Sequence, residues 1–135
     1  MTWDGNGFSR EHGPVTSELL VRLATLLNDF NPAHYDLDFA HEIGMPGVIG
    51  PGTLLQGWIL ADIEAVIEEP DATSGSPHRV SELDLRFRAP FLVGDTVTIE
   101  YEPDGDALRV EASAASADSA PRVVAQATVQ LRNGT

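Results

Sequence analysis

The chain has 135 residues, of which 42% are apolar, so it has enough apolar side chains to form the core of one domain. Its net charge of −13, from 21 acidic and 8 basic residues, argues against nucleic acid and anionic membranes as partners. The absence of cysteine excludes disulfides, thiol nucleophiles and cysteine-ligated metals. The sequence shows neither a signal peptide nor an apolar run long enough for a membrane helix, so we expect a single cytoplasmic domain over 1–135.

The first predicted helix follows a glycine-rich start. Residues 1–14 predict a loose N-terminal arm that has room for a short strand. After this arm, leucines recur at spacings of three and four, which is typical of an amphipathic helix. Thr16 or Ser17 is the expected N-cap, and the helix should end near Asn28 because the residue before Pro32 is disfavoured in helical backbone.

The most informative predicted element is a helix at about 51–68. Between Thr53 and Ala61 it has almost no polar face, and a helix that is apolar nearly all round has to be buried on nearly all sides. Gly57 in the middle of this helix is unfavourable by about 1 kcal/mol relative to alanine. Together with Ala61 it predicts a line along which another element packs closely.

After the central helix the apolar period changes to two. Alternation at 80–87, 96–101, 108–112 and 123–131 predicts about four half-buried strands of an antiparallel sheet, and the small residues at 113–121 predict a loop. Helices followed by such a meander indicate an α+β fold in which the sheet wraps the buried helix. A single sheet of this length leaves exposed edges, which dimerisation would cover.

Asp29 and His34 form the carboxylate–imidazole couple nearest to the lead-in of the central helix. A histidine that titrates near neutral pH and a carboxylate make a competent acid–base pair. Five residues is not a helical-face spacing, but the turn expected at Asn31-Pro32 can bring both side chains to one pocket. The alternative is structural: Asp29 caps the turn and His34 lies at the surface.

The lead-in Gly50-Pro51-Gly52 has two interpretations. The first N–H groups of a helix carry a partial positive charge, so the Gly52 N–H suits an oxyanion that develops on a carbonyl. Alternatively, the glycines only allow a tight entry into a buried helix. Arg86 and Arg88 share one strand face, where they either meet phosphates or keep the sheet solvated. The histidines show no metal-ligand spacing.

Two segments carry a resemblance to a known family. Asp-Phe-Asn-Pro-Ala-His-Tyr-Asp at 29–36 resembles the D-x-N-P-x-H-x-D motif of (R)-specific enoyl-CoA hydratases, which are MaoC-like dehydratases. The segments 85–90 and 94–97 resemble a strand-turn-strand unit that many hotdog-fold proteins share. The resemblance covers about 15–132. It implies a hotdog fold, in which an antiparallel sheet wraps a long, largely apolar central helix, and a homodimer as the usual assembly.

The resemblance also implies roles for individual residues. Asp29 and His34 would be the catalytic acid–base pair, Asn31 would fix their loop, and the backbone N–H of Gly52 would be the oxyanion donor. The family usually has histidine before this glycine, whereas this chain has Pro51, which changes the pocket wall and leaves the N–H in place. The implied reaction is reversible hydration of a trans-2-enoyl thioester of CoA or acyl carrier protein, without a metal or redox cofactor.

Substrate contacts follow from the same resemblance. Because the chain is strongly acidic, local arginines are needed to hold the CoA phosphates, and Arg86, Arg88 or a partner subunit would supply them. The acyl chain would lie along the central helix near Leu54, Leu55 and Trp58. Gln56 and Trp58 are candidates for shaping the tunnel, with core packing the favoured role of Trp58.

Two alternatives stay open. A hotdog acyl-CoA thioesterase would place a carboxylate on or near the central helix, where Asp62 and Glu64 are available at the polar end. A subunit of a hetero-oligomeric dehydratase would need a second hotdog chain as its partner. In such an assembly this chain would be the active half, because it keeps the Asp–His pair.

Overall fold

The computed structural model describes residues 5–67 and 78–133. Residues 1–4 of the predicted arm and residue 68, where the central helix is predicted to end, lie outside the described residues. The elements in chain order are β1 (Phe8–His12), α1 (Ser17–Leu27), a 3₁₀ turn (Pro32–His34), α2 (Leu37–Glu42), α3 (Gly52–Ile67), β2 (His78–Phe87), β3 (Thr96–Asp104), β4 (Ala107–Ser116) and β5 (Ser119–Asn133).

The strands form one antiparallel sheet in the order β1-β3-β4-β5-β2. Alternate residues of β3 and β4 are buried and the residues between them are exposed or half-buried, as the period of two predicts. Helix α3 packs its buried side chains into the same core, where Leu55, Ile59 and Ile63 are fully buried. The predicted α+β architecture is therefore confirmed, with five strands in the described residues instead of about four.

The predicted loop at 113–121 is wrong, because β4 and β5 continue through it. Strand β4 runs to Ser116 and β5 begins at Ser119, so only a tight turn separates them. The Ser119 hydroxyl accepts the backbone N–H of Ser116 at 3.2 Å and closes this turn. Small side chains are weak strand formers by themselves, but pairing with a neighbouring strand satisfies the backbone and overrides this preference.

A shift in the pairing of β4 with β5 changes which residues at the start of β5 face the core. Ala112 pairs with Ala125 and the next residue, Ser113, pairs with Val123, so that Val124 is an extra residue on β5. Val124 is fully buried, whereas Val123, which the alternation places with the core residues, is 37% exposed. The alternation predicted from the sequence therefore holds on β5 only from Ala125 onward.

The first helix agrees with its sequence signals. The hydroxyl of Thr16 accepts the N–H of Leu19 at 3.1 Å and caps the N-terminus of α1. Asn28 ends the helix in the left-handed conformation, with φ of 52°, which asparagine tolerates better than most residues. The predicted helix and its N-cap at Thr16 are confirmed.

The N-terminal arm contains the short strand β1, for which the sequence left room. It pairs with β3 at one edge of the sheet, and the ring of Phe8 stacks on Tyr101 with centroids 4.5 Å apart. Edge pairing and ring stacking thus hold residues 8–12 on the sheet.

Helix α3 is less buried than its sequence predicts. Six residues form an exposed stripe along it, and a Cβ built at Gly57 would have no neighbour within 4 Å among the described residues. The expected burial on nearly all sides, and the close packing along Gly57 and Ala61, are therefore wrong within the described chain. Because these side chains are small or polar, their exposure to water costs little free energy. The stripe consists of Thr53, Gln56, Gly57, Ala61, Glu64 and Ala65.

In the part of the chain that the structure describes, no helix is long and apolar enough to span a bilayer.

Candidate active site

The loop that carries Asp29 is built by local hydrogen bonds. The Asp29 N–H donates to the carbonyl of Ala24 at 2.9 Å, directly after the left-handed end of α1. One carboxylate oxygen of Asp29 accepts the N–H of Asn31 at 3.3 Å, and the side-chain oxygen of Asn31 accepts the N–H of Ala33 at 3.1 Å. Asn31 thereby caps the 3₁₀ turn, as expected for a residue that fixes this loop.

His34 is held by the segment that leads into α3. Its Nδ1 lies 2.7 Å from the carbonyl oxygen of Ile49. A carbonyl only accepts hydrogen bonds, so Nδ1 carries the proton of the neutral ring, and Nε2 keeps its lone pair. The N–H of Ile49 in turn donates to the carbonyl of Ala33 at 3.0 Å. These two bonds fix the ring and its tautomer against the start of the central helix.

Both glycines of the lead-in face aromatic rings. A Cβ at Gly50 would overlap the ring of Phe91, and a Cβ at Gly52 would lie 2.5 Å from Cζ of Phe87. The chain therefore enters α3 tightly, which is one of the two interpretations of these glycines. Gly52 is also the first residue of α3, where backbone N–H groups have no acceptor within the helix. Both interpretations of the glycines are thus compatible with the structure.

Asp29 and His34 line the same narrow crevice, together with Pro51 and one face of α1. Both side chains are half-buried, which keeps each within reach of a bound molecule. The contribution of α1 was not predicted from the sequence, although its leucine spacing ends two residues before Asp29. The four α1 residues that line the crevice are Leu20, Leu23, Ala24 and Leu27.

The residues expected along the acyl chain are not part of this crevice. Leu54 and Leu55 are buried in the core, and Gln56 lies on the exposed stripe of α3. Trp58 is half-buried and packs against Phe91, with centroids 6.0 Å apart. The structure thus brings Asp29, His34 and Pro51 together and leaves these four residues elsewhere.

Arg86 and Arg88 lie on the outer face of the sheet. They alternate with Phe87, whose ring packs on Gly52 at the inner face, so their side chains point the other way. The Nε of Arg88 donates to the side-chain oxygen of Gln126 at 3.0 Å. Within this chain the two arginines are therefore separated from the crevice by the sheet. In the described residues, no three potential metal ligands converge.

A second histidine–carboxylate pair, which was not predicted from the sequence, lies outside the crevice. The Nε2 of His12 donates to Oδ2 of Asp62 at 2.8 Å, and the hydroxyl of Tyr101 donates to the same oxygen at 2.6 Å. The ring of His12 stacks on Trp58 with centroids 4.7 Å apart. Asp62 is only 7% exposed, although the sequence predicted that it lies at the polar, solvent-facing end of α3. Burial, and then the bond to Asp62, raise the pKa of Tyr101 above its usual range.

Comparison with known proteins gives a family and a fold. A protein-family model described as "MaoC like domain" matches residues 6–120. No protein of curated function matches the sequence significantly. The R-hydratase PhaJ1 from Pseudomonas aeruginosa is similar in structure, with a TM-score of 0.71 and 20% identity over 96% of this chain and 80% of that chain.

Two further structures resemble the chain. The (R)-hydratase from A. caviae involved in PHA biosynthesis has a TM-score of 0.62 and 24% identity over 94% of this chain and 96% of that chain. The ChsH1–ChsH2 complex from Mycobacterium tuberculosis has a TM-score of 0.70 and 18% identity over 94% of each chain. These similarities establish the hotdog fold, which the family resemblance of the sequence implied.

Proposed function

Since this chain belongs to the MaoC-like dehydratase family, we propose that it adds water reversibly across a trans-2-enoyl thioester to form the (R)-3-hydroxyacyl thioester. The observation that carries the proposal is the crevice that Asp29 and His34 line together beside the start of α3. Membership in the family supports hydro-lyase chemistry in general, and the two side chains supply the acid–base groups that hydration needs.

The tautomer of His34 suggests how the two groups divide the work. Because Nδ1 donates to Ile49, Nε2 is the atom that takes a proton from water as the water oxygen bonds to C3. Asp29 accepts the other O–H of this water, orients it and stabilises the imidazolium. The imidazolium then returns the proton to C2, so that one molecule of water is added overall. Groups of this kind typically contribute about 10²–10⁴-fold to a rate.

The start of α3 would stabilise the charge that develops on the substrate. When water attacks C3, an enolate forms and its negative charge lies on the thioester oxygen. We assign the Gly52 N–H as the donor to this oxygen, because the first N–H groups of a helix lack an acceptor within the helix. The ring of Phe87 lies over Gly52, so any side chain at this position would require the ring to move.

The thioesterase alternative has less support. Its carboxylate would come from Asp62 or Glu64, but the Asp62 oxygen Oδ2 already accepts bonds from His12 and Tyr101. Glu64 is exposed on the stripe of α3. Neither residue lines the crevice with His34, so the geometry favours hydration at Asp29 and His34.

The substrate would be an acyl-CoA or acyl-carrier-protein thioester, and the assembly a homodimer. One similar structure is a complex of two different chains, so a partner hotdog chain is the alternative assembly. Arg86 and Arg88 lie on the outer face of their own sheet. Their contact with substrate phosphates would therefore require a thioester bound by another subunit.

Hydration of crotonyl-CoA, followed by loss of the absorbance of the conjugated thioester, tests the proposal. We expect wild-type turnover and a fall of about 10²–10⁴-fold for Asp29→Asn, since the amide cannot stabilise the imidazolium. The matched control is Asp38→Asn, which changes an exposed carboxylate on α2 and should keep wild-type activity. Equal activity of wild type and Asp29→Asn would contradict the mechanism. Mass measurement of the active species distinguishes a homodimer from a chain that needs a partner.

A further inference from the structure

The carbonyl group that orients His34 belongs to a backbone bridge between two distant segments. Ile49 lies opposite Leu92 in an isolated antiparallel bridge, which joins residues 48–50 to residues 91–93. Backbone hydrogen bonds of 2.7 and 3.0 Å connect the two segments on either side of Ile49. The segment 91–93 therefore fixes where the Ile49 carbonyl lies, and this carbonyl accepts the hydrogen bond from the ring of His34 at 2.7 Å.

The segment 91–93 is held in turn by a buried carboxylate. Asp95 is 2% exposed, and its Oδ2 accepts the N–H of Leu92 at 2.7 Å. The N–H of Asp95 donates to the carbonyl of Leu92 at 3.0 Å. Both backbone polar groups of Leu92 are thus bonded to Asp95, on the side that faces away from Ile49. Asp95 therefore supports the bridge from behind.

The carboxylate of Asp95 is paired with one arginine of β5. Nη2 of Arg122 donates to Oδ2 of Asp95 at 2.6 Å and to the carbonyl of Pro90 at 3.1 Å. Nη1 of the same side chain donates to the carbonyl of Ala114 on β4 at 3.4 Å. Arg122 thus compensates the buried charge of Asp95 and connects residues 90–95 to the sheet.

The same turn holds the start of α1. The carbonyl of Asp95 accepts the N–H of Val15 at 2.8 Å, and the N–H of Gly94 donates to the carbonyl of Val15 at 2.8 Å. Val15 is fully buried and directly precedes the N-cap of α1, the helix that leads to Asp29. Residues 90–95 therefore anchor both parts of the chain that carry the proposed catalytic pair, one through α1 and the other through the bridge to His34.

We propose that Asp95, paired with Arg122, is a positioning residue for His34: it holds Leu92 against Ile49, so that the Ile49 carbonyl keeps the ring proton on Nδ1 and Nε2 stays free to take a proton from water. This inference rests on the proposed function, although the tautomer of His34 can be measured without turnover. Asp95 does not line the crevice, so it acts through the backbone and not on the substrate.

The first test is the kinetics of Asp95→Asn, which keeps the size of the side chain and removes the charge that Arg122 binds. A misplacement of about 1 Å can lower a rate by about 10²-fold, so we expect kcat per folded molecule for crotonyl-CoA hydration to fall by this factor. KM should stay close to the wild-type value, because no substrate contact is removed.

The matched control is Asp62→Asn, which changes the other buried carboxylate of the described residues. Asp62 also accepts two side-chain hydrogen bonds, but its partners, His12 and Tyr101, lie outside the bridge to His34. A variant that is only less stable loses folded molecules and keeps kcat per folded molecule. We therefore expect wild-type kcat for the folded fraction of Asp62→Asn.

Nitrogen-15 NMR of the histidine rings shows which ring nitrogen carries the proton, a property that a loss of stability alone does not change. At alkaline pH, where the ring is neutral, wild type and Asp62→Asn should show the proton of His34 on Nδ1. Asp95→Asn should show a mixture of both tautomers. The signals of His34 are identified by their absence from His34→Asn.

Substitutions of Arg122 provide a second test, in which a conservative change should restore the effect. Arg122→Met removes the charge and the donors, and should change kcat and the tautomer of His34 as Asp95→Asn does. Arg122→Lys keeps a cationic donor and should keep both close to wild type. If Asp95→Asn does not fold, Arg122→Met decides, because the Arg122 side chain is 30% exposed and water can reach the carboxylate in its absence.

Several outcomes would overturn the inference and leave the hydratase function standing. These are a wild-type tautomer of His34 in the folded variants of Asp95 and Arg122, whatever their kcat, and failure of both Asp95→Asn and Arg122→Met to fold, which would make the pair purely structural. A wild-type His34 ring with its proton on Nε2 would overturn it as well. Absence of turnover in wild type would instead count against the proposed function, and the tautomers would then decide the inference alone.

Discussion

The molecule holds two histidine–carboxylate pairs that differ in what their polar atoms contact. His12 and Asp62 bond directly to each other at 2.8 Å, and Tyr101 donates to the same carboxylate oxygen. Asp29 and His34 are instead held by the backbone, through one oxygen of Asp29 and Nδ1 of His34. In the direct pair the two side chains bond to each other, whereas Nε2 of His34 and the second carboxylate oxygen of Asp29 make no hydrogen bond within the described residues. Proximity of a histidine to a carboxylate is therefore not by itself evidence of a catalytic role.

The surroundings of the two pairs differ as well. The His12–Asp62 pair joins an edge strand to the central helix and is covered by Trp58 and Tyr101. Most of the exposed large apolar side chains in the described residues lie between Val21 and Ile43, the segment that carries Asp29 and His34. Such a concentration is typical of surfaces that bind apolar ligands or partners. The first pair thus belongs to the packing of the fold, whereas the second, which we propose to be catalytic, lies in this exposed apolar segment.

The largest expected effect is on activity, and it distinguishes His34 from His12. In His34→Asn the amide nitrogen replaces Nδ1 and still donates to Ile49, but Nε2 is lost. We expect the kcat for crotonyl-CoA hydration to fall by about 10²–10⁴-fold, with little change in stability. His12→Asn should keep the wild-type kcat and lower the free energy of unfolding by about 1 kcal/mol. Loss of kcat in His12→Asn, with wild-type kcat in His34→Asn, would reverse the assignment.

A smaller effect is expected on the stability of the protein when the buried His12–Asp62 pair is removed. Asp62→Ala leaves the hydroxyl of Tyr101 buried without its acceptor, and it removes the partner of His12. We expect the free energy of unfolding in urea to fall by about 2–3 kcal/mol. Glu64→Ala, an exposed change on the same helix, should alter it by no more than about 0.5 kcal/mol. Equal stability of the two variants would show that the pair contributes nothing to the fold.

The smallest effect concerns alkaline pH. Burial and the bond to Asp62 raise the pKa of Tyr101, so the folded protein keeps this proton above pH 10, where the unfolded chain loses it. Its contribution to stability is therefore complete below about pH 10 and falls above it by up to about 1.4 kcal/mol per pH unit.

Urea unfolding between pH 8 and 11 should show a shallower loss of stability for Tyr101→Phe than for wild type. The matched control is Tyr35→Phe, which removes the other tyrosine hydroxyl from an exposed site and should keep the wild-type slope. Identical slopes in wild type and Tyr101→Phe would contradict the role of burial in holding this proton.

The sequence by itself determined the features that depend on neighbours along the chain. The cap of α1 at Thr16 and the turn at 29–34 are made by hydrogen bonds over a few residues, so residue types and spacing were enough to predict them. Strand alternation was predictable for the same reason, because the period of two follows from backbone geometry. These local rules were sufficient for the α+β class, whereas the hotdog fold and the catalytic interpretation of Asp29 and His34 came from the family resemblance of the motif at 29–36.

Only the tertiary structure decided what depends on distant contacts. His12 and Asp62 are separated by 50 residues, and their bond exists because β1 pairs with β3 beside α3. The extra residue at Val124 and the strands at 113–121 result from pairing between β4 and β5. The wall of the crevice comes from α1 because the backbone of Ile49 holds His34 next to that helix. Local periodicity records which face of an element is apolar, but it does not record which element that face meets.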